Sequence, residues 1–227
     1  MNEGKRLISV FIAPSALFGD IRERSRWWLP FLILLVVAAA ATTLPRLTIP
    51  SDVFLDAMRQ NMPQGIEMNE EQMGVLAEQM RSPVAILGTA LSVMVVQTLV
   101  TFLAALAFWA IFAIFGAQAN FRKSVSVVSY TGLVTALGMI FISVLSVILQ
   151  RIDIMTSFAL LPFLEPGTFI FRFAGQIDLF AVWRIILMGL GFSIVVNVSR
   201  LKSFLLVIIP WLILSLVVAS INIGFGR

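Results

Sequence analysis

An all-α integral membrane protein with five transmembrane helices is the fold class this sequence predicts, and three observations predict it. The first is a series of five long apolar runs, at about 27–44, 84–115, 125–149, 179–198 and 203–223. Each reaches or nearly reaches the roughly 20 residues that cross ~30 Å of hydrocarbon at ~1.5 Å per residue. The second is composition: 59% of the chain is hydrophobic and 12% charged, whereas soluble domains carry roughly a quarter charged residues. The third is the uneven density of basic residues between the runs. Residues 1–26 read as a cytoplasmic amphipathic N-terminal segment and 27–227 as one five-helix membrane domain.

Orientation follows from the basic residues. Lys5, Arg6, Arg22, Arg24 and Arg26 precede the first run, Arg122 and Lys123 separate the second from the third, and Arg200 and Lys202 separate the fourth from the fifth. The other side carries Arg46, Arg59, Arg81, Arg151, Arg172 and Arg227, spread over longer connections that are richer in Asp and Glu. Short connections dense in Lys and Arg stay in the cytoplasm. The N-terminus is therefore expected in the cytoplasm and the C-terminus across the membrane. Beside membrane spans, the formal charge of +4 suits anionic headgroups better than nucleic acid, and no nucleic-acid partner is expected.

In the N-terminal segment, Leu7, Ile8, Val10 and Phe11 form an apolar patch that Pro14 interrupts before Leu17, Phe18 and Ile21. With the surrounding arginines they suit a helix in the headgroup layer, or one packed on the end of the bundle. The first run opens on Trp27–Trp28, an interfacial anchor pattern. It closes on Pro45–Arg46 without a small-x-small cleavage site, so it reads as a retained span rather than a signal peptide.

The extracytoplasmic loop 45–83 is the one substantial hydrophilic stretch. Ser51 suits the cap of a short helix that runs to about Met62, where Pro63 and Gly65 break it. Asn69 with Gln72 resembles a capping box. Met73, Leu76, Ala77 and Met80 then share a helix face. Thioethers can ligate copper(I), but Met58, Met62, Met68, Met73 and Met80 lack dense clustering and His companions. They read as an apolar face on the membrane or bundle, and no metal site is expected.

The second run exceeds one crossing and holds the modest polar groups Ser92, Gln97, Thr98 and Thr101. Ser129, Gly132, Ala136, Ser143 and Ser146 in the third run, and Gly189, Gly191, Ser193 and Asn197 in the fourth, are small or polar residues. Such residues let helix backbones approach and bond across helices. Between these runs, 152–177 is apolar yet broken by Pro162, Pro166 and Gly167. It is expected to be a broken interfacial or re-entrant segment before the fourth helix, and the place for a lipid-facing groove. Asp178 is positioned to cap that helix. Arg184 lies about two turns inward, where it can snorkel to headgroups or pair with an acidic group.

Zero Cys and zero His remove thiolate chemistry, disulfides, the commonest general base and the commonest transition-metal ligand. No HExxH, Gly-rich phosphate loop or intramembrane carboxylate pair is present. No catalytic residue, cofactor or enzymatic activity is expected.

Several segments, in order, resemble the Yip1 family of multi-pass membrane proteins, particularly its bacterial branch. They are Phe11-x-x-Pro14-x-x-x-Phe18-x-x-Ile21, Arg26-Trp27-Trp28-Leu29-Pro30, Phe121-x-x-Ser124-Val125 leading to Val128-Ser129-Tyr130, Ile177-Asp178-Leu179-Phe180-x-x-Trp183, and Arg200-x-Lys202 with Pro210-Trp211. The resemblance implies a five-helix membrane domain with a cytoplasmic N-terminus and, for bacterial members, an inner-membrane location. Eukaryotic relatives are associated with Rab GTPases and vesicle traffic. That connection is not carried over to this chain, which has only a short segment before its first span and no Asp-Leu-Tyr-Gly-Pro motif.

The leading functional expectation is a non-enzymatic scaffold, adaptor or accessory subunit for other membrane proteins or for lipid organisation. A lipid or small-solute transporter or channel component is the alternative. The expected partners are membrane lipids, and other membrane proteins or further copies of the chain. Pro14, Phe18, Trp27, Trp28, Pro30, Tyr130, Asp178, Trp183 and Arg184 are the candidate contact residues.

Overall fold

Ten α-helices account for most of the described residues in a computed structural model that describes residues 1–60, 69–118, 120–152 and 154–221. The Pro63–Gly65 break, Met62, Met68, Asp153, Arg227 and the last two residues of the fifth run lie outside the described residues. Two short helices, α1 (Glu3–Ile12) and α2 (Pro14–Glu23), form a hairpin that turns at Ala13. Pro14 opens α2, where its missing N–H has no intrahelical partner to lose.

Four helices are long and apolar enough to cross a membrane: α3 (Trp28–Thr48), α6 (Pro83–Ile114), α7 (Phe121–Leu149) and α10 (Arg200–Ser220). The fourth apolar run forms α9 (Leu179–Val195), whose 17 residues span about 25 Å. It is shorter than expected because the chain turns at Asn197, held at φ 56°. The first span is longer than expected. Pro45 does not stop it, and α3 continues to Thr48. Pro45 leaves only the Ala41 carbonyl without its usual donor, near a helix end where free carbonyls are common.

Beyond α3, α4 (Ser51–Gln60) and α5 (Glu70–Arg81) lead into α6. Ser51 proves to be the first residue of α4 rather than its cap, and its hydroxyl accepts a 2.5 Å bond from Arg81. Asn69 and Gln72 do make both bonds of a capping box, and Met73 and Ala77 are buried. Between α7 and α9 lie a 3₁₀ turn at Phe158–Leu160 and α8 (Phe169–Gly175). This segment leaves Phe158, Leu160, Phe163 and Ile170 exposed, so its apolar character is not consumed by the protein core.

The core is centred on α7, which packs on α3, α6 and α9; α9 in turn packs on α10 and on α2. Polar residues in the spans mostly serve their own helix. Thr42, Thr98, Thr131 and Ser126 each donate to a carbonyl four residues back. Ser203 makes a cross-helix bond, donating to the Gly189 carbonyl at 2.7 Å. The small residues act chiefly by allowing close approach. A Cβ at Gly132 would lie 2.8 Å from Leu34, one at Gly189 2.5 Å from the Phe204 ring, and one at Gly191 2.8 Å from the Phe18 ring.

Gly189→Val is therefore expected to wedge α9 from α10 and to cost about 1–3 kcal/mol. A thermal melt in detergent, compared with Gly74→Val at a site with open space, measures the difference. An unchanged midpoint for both would mean that the close approach is not needed.

Candidate functional site

Two places bring the sequence-predicted residues together, and both are built on α9. The first is the dock of the N-terminal hairpin. Val10, Leu17, Phe18 and Ile21 are fully buried, and Phe18 lies on Gly191 and beside Val127 of α7. Phe11 meets Trp183 edge-on at 5.8 Å. Gly191 and Trp183 stand about 12 Å apart along α9, so the hairpin runs lengthwise beside that helix. Its outer face leaves Ile8 59% and Ile12 76% exposed. Of the two arrangements open from sequence, the structure packs these helices on the bundle.

An ionic lock closes the hairpin. Arg6 is buried, pairs with Asp20, lies 3.7 Å from Glu3 and donates to the Arg24 carbonyl at 3.0 Å. The N-terminal ammonium reaches Asp20 at 2.7 Å, and Arg26 reaches Glu3 at 3.0 Å. Burial works against the Arg6 charge, but the hydrogen bond and attraction of Asp20 outweigh it and hold the guanidinium above its ordinary pKa. Burial also works against the Asp20 charge. Hydrogen bonds from the ammonium and Arg6 outweigh it, holding the carboxyl below its ordinary value of 3.8. Tyr130, fully buried on α7, feels the charges of Glu3, Arg6 and Asp20.

The sequence reading missed Arg6 and Asp20 as site residues. A signal was present: Arg6 stands one helical turn before buried Val10 and so shares its inward face.

The second place is a cavity of about 470 Å³ walled by α6, α7, α9 and α10. Its lining is apolar apart from Thr135, Asp178 and Arg184. Asp178 caps α9 as expected, accepting from the Ala181 N–H at 2.7 Å. Arg184 does not find the acidic partner that sequence allowed. Its Nε is buried without a hydrogen bond, and no described residue ion-pairs with it.

Three of the remaining candidates lie at the start of α3. Trp27 is edge-on to Phe31 and Phe102 at 5.7 and 5.4 Å, Pro30 is buried, and Trp28 is exposed. Pro14 stands at the hairpin turn. Among the described residues, no group of three or more His, Cys, Asp or Glu side chains is arranged to hold a metal ion.

A family model described as the Yip1 domain matches residues 8–221, nearly the whole chain, with Glu3 and Arg6 of the lock lying before it. No curated protein and no solved structure matches.

Asp20→Asn strands the buried Arg6 charge and is expected to loosen the hairpin by about 3 kcal/mol, read as faster amide exchange across residues 3–23. The pH dependence has a definite sign. Because the folded carboxyl titrates below its ordinary value, its contribution is present above 3.8 and is lost as pH falls further. Hairpin protection should therefore persist from neutral pH down to that value. Loss of protection near pH 6 would contradict the lock.

Proposed function

The chain belongs to the Yip1 family, and from that premise we propose that it is a non-enzymatic, five-span scaffold that organises other membrane proteins and the lipid around them. The observation that carries this reading is α6. Its 32 residues span about 48 Å, yet only Thr101, Ala105 and Phe112 are buried. Val84, Leu87, Leu91, Val95, Leu99 and Leu103 all face outward. On the same outward side, Gly88 and Ser92 are one turn apart, with nothing within 4 Å of a Cβ at Gly88. Small residues at that spacing let a second transmembrane helix approach closely.

In this reading α9 is the fifth crossing, its short length met by local thinning or by headgroup contacts from the segment between α7 and α9. In this reading the protein sits in a bacterial inner membrane, and the density of basic residues in the short connections supports a cytoplasmic N-terminus. The hairpin then enters from the cytoplasmic side and runs along α9, with Ile8 and Ile12 turned to acyl chains. A role in lipid handling is the second reading, and the cavity beside Arg184 favours it.

The absence of native Cys makes single-cysteine probes unambiguous. Ser92→Cys is expected to crosslink to a neighbouring membrane helix in native membranes, while Ala105→Cys, on the buried face, is not. Equal crosslinking at both positions, or none at either, would count against α6 as a partner surface. For orientation, a membrane-impermeant thiol reagent added from the cytoplasmic side should label Lys123→Cys and not Gln79→Cys.

A further inference from the structure

Arg184 is a cation in a largely apolar wall, and among the described residues it has no ion-pair partner. It stands on the second turn of α9, lines the cavity, and keeps its Nε buried and unbonded. A guanidinium presents five donors and stays charged, and a charge held in apolar surroundings without a partner is costly. The nearby carboxylate does not relieve it. Asp178 commits an oxygen to the α9 cap, and no ion pair joins it to Arg184. The rest of the wall, including Phe108, Met139, Ile142, Met188 and Trp211, offers little but hydrocarbon and aromatic surface.

We propose that this cavity binds a membrane amphiphile, its acidic headgroup, a phosphate or carboxylate, against Arg184 and an acyl chain in the apolar space. Three observations converge on this occupant. The volume of about 470 Å³ falls within the roughly 300–1,000 Å³ of small-molecule sites. The chemistry is divided: Thr135, Arg184 and Asp178, whose carboxylate already accepts from the α9 backbone, are set in an otherwise apolar lining, which matches an amphiphile and not a soluble anion. The cavity also sits between spanning helices, where α6 and α10 meet only over a short stretch, so a lipid in the bilayer has a lateral approach.

This inference rests on membrane residence alone and not on α6 as a partner surface, so either can fail without the other. The test is native mass spectrometry of the full-length protein in detergent. The protein is titrated separately with phosphatidylglycerol, with diacylglycerol of the same acyl chains, and with inorganic phosphate. Phosphatidylglycerol should bind, diacylglycerol should bind more weakly, and phosphate alone should not bind at all. Arg184→Gln should weaken phosphatidylglycerol roughly ten- to hundredfold, and Arg184→Lys should restore part of the loss. Ala107→Phe, on the outer rim of the lining, should block the acyl chain while leaving Arg184 in place. Arg122→Gln, at an exposed basic connection, should change nothing. Equal binding by wild type and Arg184→Gln, with both monodisperse, would overturn the proposal. So would tight binding of phosphate alone, or indifference of Ala107→Phe.

Discussion

Between Gly189 and Gly191 the backbone of α9 meets two aromatic rings, Phe204 from α10 and Phe18 from the N-terminal hairpin. Neither ring could lie where it does beside a residue with a side chain. The Ser203 hydroxyl adds a bond to the Gly189 carbonyl within the same contact. Everything that distinguishes this bundle from a plain row of spans is attached here. The hairpin rests on one side of α9, the cavity opens on another, and α10 is drawn against a third. In hydrocarbon, solvent exclusion does not hold helices together, so shape fit at such points carries much of the association.

Two arginines show how differently the same group can be accommodated. Arg6 is surrounded by acceptors: Asp20, Glu3 and the Arg24 carbonyl. Its charge is balanced within the protein, and the gain is a hairpin fixed in one geometry. Arg184 has a cavity where Arg6 has carboxylates. No described residue ion-pairs with Arg184, so the desolvation cost that Asp20 offsets for Arg6 is not offset in the same way here. The lock joins the two helices of the hairpin, whereas Arg184 lines the cavity.

How much of this was legible follows from the kind of signal each feature leaves. Long apolar stretches report helices directly, so four spanning helices and the run that became α9 could be read from composition and length. Asn69–Gln72 and Asp178 were legible because a helix cap is a local arrangement of a few residues. The end of α3 was not, since a proline near a helix terminus sacrifices little and the helix can run through it. The lengthwise docking of the hairpin was also out of reach. An amphipathic helix shows the same periodicity whether its apolar face meets lipid or Gly191 and Trp183. Arg184 could be singled out as a charge in an apolar run, but its isolation depends on where Asp178 spends its oxygen, which is a matter of three dimensions.

The short length of α9 ties the two places together. At about 25 Å it is the shortest of the five long apolar helices, with the hairpin along its side and the broken apolar segment and Asp178 at its start. The hairpin covers one side of α9, while Phe158, Leu160 and Phe163 stay exposed in the segment that leads into it. The dock and the cavity thus share one short helix and use different parts of its surface: Gly191 and Trp183 meet the hairpin, and Ala181, Arg184 and Met188 face the cavity.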